Sequence, residues 1–170
     1  PINSDGSVGT WTTQANPLPV GLWSHNMAAW RGTLYVVGGA YGAGFYSNNI
    51  YSAPINSDGS VGAWTTAALS LNISYSNMEL WDGRLYARTG ADVYSAPINS
   101  NGSVGSWTQQ AAALPQVLSY AAMSAWSGRL YVAGGTNGGD QATVYSAPIN
   151  ANGTVGTWTT ETNTLPQGRQ

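Results

Sequence analysis

One twelve-residue string, Pro-Ile-Asn-x-(Asp or Asn)-Gly-(Ser or Thr)-Val-Gly-x-Trp-Thr, occurs four times in the 170 residues of this chain. The copies start at Pro1, Pro54, Pro97 and Pro148 and carry Trp11, Trp64, Trp107 and Trp158. A period of 43 to 53 residues describes a small unit copied in tandem. A unit of that size cannot bury an apolar face alone, so neighbouring copies must cover one another. The same repetition means that most recurrent residues recur for structural reasons.

Each unit reads as strands. Around the repeat string, β-formers flank Asp5-Gly6, Asp58-Gly59, Asn101-Gly102 and Asn152-Gly153. Asx-Gly between two such runs predicts a two-residue type I′ hairpin turn, with positive φ at both central residues. A second hairpin is expected upstream. Met27 to Gly39, Met78 to Gly90 and Met123 to Gly135 each show an apolar strand, a tight turn containing Gly, and a strand rich in Leu, Tyr and Val. Four short strands in up-and-down order therefore make one unit, and no stretch has helical apolar spacing. The expected organisation is the last two strands of a partial unit over 1–13, full units over 14–66, 67–109 and 110–160, and the start of another over 161–170. Unit length varies mainly in the loop after the glycine pair: Ala40 to Asn49, then only Ala91-Asp92, then Thr136 to Thr143. Such loops on a repeated scaffold are the usual place for recognition.

Four strands per unit, glycine pairs at Gly38-Gly39 and Gly134-Gly135, downstream Tyr51, Tyr94 and Tyr145, the repeated Trp, and Leu-Pro at 18–19, 114–115 and 165–166 together resemble the kelch motif. The Ala-Pro-Ile-Asn hairpin is similar to kelch-like arrays of bacterial surface and secreted proteins. The resemblance implies an all-β fold of kelch-like β-propeller blades, about three full and one partial, with the first strand of each blade innermost. The second unit departs from the pattern: Arg88-Thr89-Gly90 replaces apolar-Gly-Gly. Leu22 and Leu118 stand where the family often has Arg after Leu-Pro, and Arg169 fits that place. Rings of this kind close with roughly six to eight blades. Three continuations are open: further blades in a longer chain, several chains completing a ring, or head-to-tail stacking into a filament.

Composition narrows the chemistry. Five Arg, no Lys and seven acidic residues leave no basic patch for nucleic acid or an anionic membrane surface. No run approaches a membrane-spanning length. Without cysteine there is no disulfide or thiolate, and with one His a transition-metal site lacks ligands, so the chemistry of kelch-like copper oxidases does not carry over. No cofactor is expected. A surface rich in Ser, Thr, Asn, Gly and Tyr points to an extracellular or cell-surface location.

Two constellations stand out. The loop around Tyr41, Phe45, Tyr46 and Asn48, joined by Trp23, offers aromatic faces and amides, which suit stacking on a sugar ring or docking on a protein. The other two units lack these aromatics. The second constellation gathers Glu79, Asp82, Arg84, Arg88 and Asp92 into 14 positions. Its plain reading is an ion-pair network between strands around Glu79, Arg84, Arg88 and Asp92, with Glu79 facing the channel. A pair of carboxyls would serve glycoside hydrolysis only at about 5–9.5 Å separation. His25 has no nucleophile or carboxylate nearby in sequence. The Asp-Gly-Ser-Val-Gly-x-Trp string resembles the sialidase Asp-box, but its Trp is one residue out of register. Sequons at Asn72, Asn101 and Asn152 match the frequency of these residues in the chain. The expected function is a non-enzymatic structural or binding module whose partners are other blades or copies of itself. A carbohydrate-binding propeller using the aromatic loop is the alternative.

Overall fold

The computed structural model describes residues 2–69 and 77–169; the Asn72 sequon lies outside them. No helix occurs among the described residues, which form three four-stranded antiparallel sheets and one two-stranded sheet. The first sheet begins with β1 (Asn26–Trp30) and β2 (Thr33–Val37). A side hairpin follows, β3 (Ala40–Tyr41) and β4 (Phe45–Tyr46), and then β5 (Asn49–Pro54) and β6 (Thr65–Ala68) complete the sheet in the order β1-β2-β5-β6. The second sheet is β7 (Asn77–Trp81), β8 (Arg84–Thr89), β9 (Asp92–Pro97) and β10 (Thr108–Gln109). The third is β11 (Ala122–Trp126), β12 (Arg129–Ala133), β13 (Val144–Pro148) and β14 (Thr159–Thr160). Each four-stranded sheet runs up and down in chain order.

Turn chemistry differs from the expectation at one place. The Asx-Gly hairpins are not type I′. Gly6, Gly59, Gly102 and Gly153 take φ of 80° to 83°, but Asp5, Asp58, Asn101 and Asn152 do not have positive φ. Gly6 N donates to Asn3 O at 2.9 Å and Asn3 N to Ser7 O at 2.8 Å, as in a three-residue loop with glycine in the left-handed bulge position. The Asx side chain instead braces the turn: Asp5 Oδ1 accepts from Ser7 N at 2.9 Å and Ser7 Oγ at 2.6 Å, and the other copies repeat this. Two-residue turns with both φ positive occur in the other hairpin, at Arg31-Gly32, Asp82-Gly83 and Ser127-Gly128. The glycine pair serves close approach. A Cβ at Gly39 would lie 2.8 Å from His25 Cβ, and one at Gly135 2.7 Å from Ala121 Cβ.

The sheets lie face to face. Val37 and Ile50 of the first sheet meet Leu69, Met78, Leu85 and Ala87 in one buried cluster. Tyr86 and Val93 of the second meet Leu130, Val132, Tyr145, Val155 and Trp158 of the third in another. The first strands run together, with β7 against both β1 and β11. Polar contacts between successive sheets are repeated too. Tyr35 Oη donates to Gly102 O at 2.9 Å, and Tyr86 Oη to Gly153 O at 3.1 Å, both 67 residues ahead. Val61 N donates to Gln14 Oε1 at 3.0 Å, and Val155 N to Gln110 Oε1 at 2.9 Å. Trp64 Nε1 donates to Asn16 O at 3.1 Å, and Trp158 Nε1 to Ala112 O at 3.2 Å. In each case the repeat hairpin sits on the preceding unit.

The seam between the first and second sheets keeps the tyrosine bond and lacks the other two. Ala67 occupies the position of Gln14 and Gln110, and Trp107 Nε1 is buried without a hydrogen-bond partner among the described residues. A cleft of about 330 Å³ opens there, with Ala67 on one wall and Val104 on the other. Ala67→Gln is expected to fill it, to give Val104 N an acceptor, and to stabilise the fold by about 1 kcal/mol. Urea unfolding checks this as a higher midpoint at unchanged slope.

Candidate functional site

The aromatic loop folds as the β3–β4 hairpin. Tyr41 pairs with Phe45 and Ala40 with Tyr46, and Gly42 and Gly44 turn the chain at φ of 55° and 99°. Cross-strand pairing brings the Tyr41 and Phe45 rings to 6.1 Å between centroids, 29° from parallel. Trp23 is tied to the same hairpin by two backbone bonds with Ala40, each 2.9 Å. Local chain geometry thus brings Trp23, Tyr41, Phe45 and Tyr46 to one hairpin, with Tyr41 and Phe45 on one face and Trp23 and Tyr46 on the other by strand alternation. They remain exposed at 44%, 39%, 66% and 41% of their surfaces, which leaves aromatic area for a partner. Asn48 is exposed beside them, and its carbonyl accepts from Leu69 N at 2.7 Å. No residue from Ala40 to Asn49 is acidic or basic, so the surface suits stacking and hydrogen bonding, not proton transfer. In the third unit the equivalent loop is polar, bridged between Thr136 and Asp140. In the second, Thr89 and Asp92 pair directly across a tight turn.

Among the described residues, the charged side chains of the second sheet do not form the ion-pair network expected of them. Asn77, Glu79 and Trp81 pair across to Arg88, Tyr86 and Arg84, so Glu79, Arg84 and Arg88 share the face toward the third sheet. Asp92 pairs with Thr89, on the opposite face. Arg84 Nη1 donates to Ser95 Oγ at 3.1 Å. Arg88, 1% exposed, donates to Gly90 O, Leu118 O, Ala121 O and Asn77 Oδ1, all neutral acceptors. Its pKa is lowered by burial, with no carboxylate among the causes. Glu79 is half-buried. Burial pushes its carboxyl above the ordinary range, and a hydrogen bond with the Ala125 backbone opposes the shift. Of the two carboxyls that could pair with Glu79 for glycoside hydrolysis, Asp82 and Asp92, the second lies on the opposite face of the sheet.

A raised folded-state pKa means that the fold favours the neutral carboxyl. Glu79 therefore contributes stability at low pH that is lost as pH rises through its raised value. Glu79→Gln is expected to melt at or above the wild-type temperature at pH 7, with the difference shrinking toward pH 4. Paired thermal melts across that range are the check.

The remaining candidates are structural or dispersed. The Asp5 and Asp58 carboxyls are held below the usual carboxylate range by the Ser7 and Ser60 hydroxyls and amides. His25 is exposed just before β1. No group of three metal-ligating side chains occurs among the described residues, and no helix there is long and apolar enough to cross a membrane. Sequence reasoning missed the seam residues Gln14 and Gln110. Their signal was available: in both copies a Gln stands three residues after the repeated Trp. No protein-family model matches this chain, and no curated protein matches it significantly.

Proposed function

We propose that the chain is a non-enzymatic structural or binding module of an extracellular or cell-surface assembly, built from kelch-like blades that continue into a longer chain or neighbouring subunits. The observation that carries this reading is the repeated seam. Successive sheets are joined by the same tyrosine-to-hairpin bond at 2.9 and 3.1 Å, in a geometry that any further unit can extend. The up-and-down strand order and the adjacent first strands support the blade interpretation. Asp5, Arg84 and Arg88 are engaged by a turn, a serine and backbone carbonyls. The reading needs no cofactor. Immunogold labelling of intact producing cells tests it: signal on unpermeabilised cells is expected, and signal only after permeabilisation overturns it.

The exposed Tyr41–Phe45 pair favours a second reading, a carbohydrate-binding surface on the first unit. It predicts glycan-array signal that Phe45→Ala and Tyr41→Ala abolish. A blank array with wild-type protein removes it.

A further inference from the structure

We propose that the cleft between the second and third sheets binds a sugar acid, with the Arg84 guanidinium as the anchor for its carboxylate and Trp81 as the wall for its ring. The site is separate from the Tyr41–Phe45 hairpin of the first unit and goes beyond the assembly reading.

Each seam makes a cleft of the same construction. The turn that joins the first two strands of one sheet faces the repeat hairpin of the next. At the first seam, Trp30, Arg31 and Thr33 face Ile98 to Gly102 across about 210 Å³. At the second, Trp81, Asp82 and Arg84 face Ile149 to Gly153 across about 320 Å³, within the range of small-molecule sites. The chemistry of the two clefts differs. Arg31 lies over the Trp30 ring, 5.6 Å from its centroid, and so covers an aromatic face. At the second seam Asp82 takes the place of Arg31, and the cation stands instead at Arg84, where the first seam has Thr33. Arg84 pairs across the turn with Trp81, so the two side chains project from one face of the sheet.

The charge on Arg84 has no carboxylate to answer it. The side chain is half-buried, and among the described residues its one hydrogen bond runs from Nη1 to Ser95 Oγ at 3.1 Å. The third sheet repeats this contact with a difference. Arg129 Nη2 donates to Ser146 Oγ, and that hydroxyl donates to the Glu161 carboxylate. In the second sheet Gln110 stands in the place of Glu161, and its Nε2 is a second donor to Ser95 Oγ. Nη2 and Nε of Arg84 are left without acceptors, the edge with which a guanidinium takes a carboxylate in two parallel bonds. Gly153 makes room for the group, since a Cβ there would lie 2.3 Å from Arg84 Nε.

The facing hairpin adds a donor. Asn152 Oδ1 accepts from Thr154 N at 3.0 Å and Thr154 Oγ1 at 2.7 Å, which leaves Nδ2 to donate. Asp5 and Asp58 build the same turn with a carboxylate. An aspartate at position 152 would meet the arginine from within the chain, whereas the amide leaves the cation open. Asp82 decides the kind of anion. It is exposed and lines the same cleft, where it repels a bare anion but accepts from hydroxyls. A ligand that satisfies all four side chains has a carboxylate for Arg84 and Asn152, a ring face for Trp81 and hydroxyls for Asp82. That is the composition of a hexuronic acid.

Amide and indole NMR shifts of the 170-residue chain, titrated with sodium glucuronate, glucose and sodium acetate, are the test. Glucuronate is expected to move the Trp81 indole, Gly83 and Gly153 signals with a Kd on the order of millimolar, about tenfold tighter than glucose or acetate. Arg84→Leu is expected to weaken glucuronate binding about tenfold or more. Asn152→Asp should do the same, and it rebuilds the turn that Asp5 and Asp58 already form, so the fold is kept and the loss reads the site. Glucuronate that leaves these signals unmoved, glucose or acetate that binds as tightly, or binding that survives Asn152→Asp overturns the proposal. The surface-labelling experiment is independent of each of these results, so the two readings fail separately.

Discussion

Arg88→Ala is expected to lower unfolding free energy by about 3–5 kcal/mol, the largest loss from any single side chain in the second sheet. Arg88 is 1% exposed and stands where the other units carry Val37 and Ala133. Its Nη1 donates to Gly90 O at 2.7 Å and Leu118 O at 2.8 Å, and its Nη2 to Asn77 Oδ1 at 3.0 Å and Ala121 O at 3.2 Å. Two acceptors belong to its own unit and two to the segment that leads into β11, so the guanidinium staples the second sheet to the third. Alanine leaves these acceptors without their donor and opens a cavity beside Leu118, itself 1% exposed. An opposing effect must be weighed. A guanidinium stays charged when buried, and neutral oxygens repay its desolvation incompletely. Arg88→Met, which keeps volume and removes charge, should therefore cost less than Arg88→Ala. Urea unfolding followed by tryptophan fluorescence separates the cases. A loss below about 1 kcal/mol for Arg88→Ala would show that its four bonds only offset the cost of burying the ion.

That staple marks where sequence reasoning stops. Strand pairing within a unit is local, so apolar runs separated by Gly-containing turns were enough to place β1 against β2, β7 against β8 and β11 against β12. The aromatic cluster was legible as a loop because its residues are close in sequence, but its folding as the β3–β4 hairpin, with Trp23 bridged to Ala40, was not. Nor was the exchange of turn types. Asn-Gly and Asp-Gly suit both a two-residue turn and a three-residue loop with a glycine bulge, and the choice depends on the Asx side chain bracing the amide two residues on. Arg88 was visible as a departure from the repeat, yet its acceptors on Leu118 and Ala121 lie 30 and 33 residues ahead. The charge cluster suggested mutual pairing because charges adjacent in sequence look like partners. In the sheet, side-chain alternation turns Asp92 to the other face, and the arginines find oxygens that carry no charge.

Gln110→Leu is expected to cost about 2–3 kcal/mol, second only to Arg88→Ala. Gln110 is 7% exposed and joins three groups: Nε2 donates to Ser95 Oγ at 2.9 Å and to Thr108 O at 3.2 Å, and Oε1 accepts from Val155 N at 2.9 Å. Leucine nearly preserves the volume, so cavity formation contributes little and the loss reports the polar contacts. Ser95 Oγ keeps the Arg84 guanidinium at 3.1 Å, whereas the Val155 amide, on a residue 5% exposed, is left buried without an acceptor. Gln14 offers an internal comparison. It makes the same bond to Val61 N at 3.0 Å, but Gln14 and Val61 are only half-buried, so water can take the place of the lost acceptor. Gln14→Leu should cost less than about 1 kcal/mol. Chemical denaturation of both variants at one pH decides the matter. A loss at Gln110 clearly larger than at Gln14 means that burial, and not the hydrogen bond as such, sets the strength of the seam. Equal losses would mean that the bond contributes the same wherever the repeat places it.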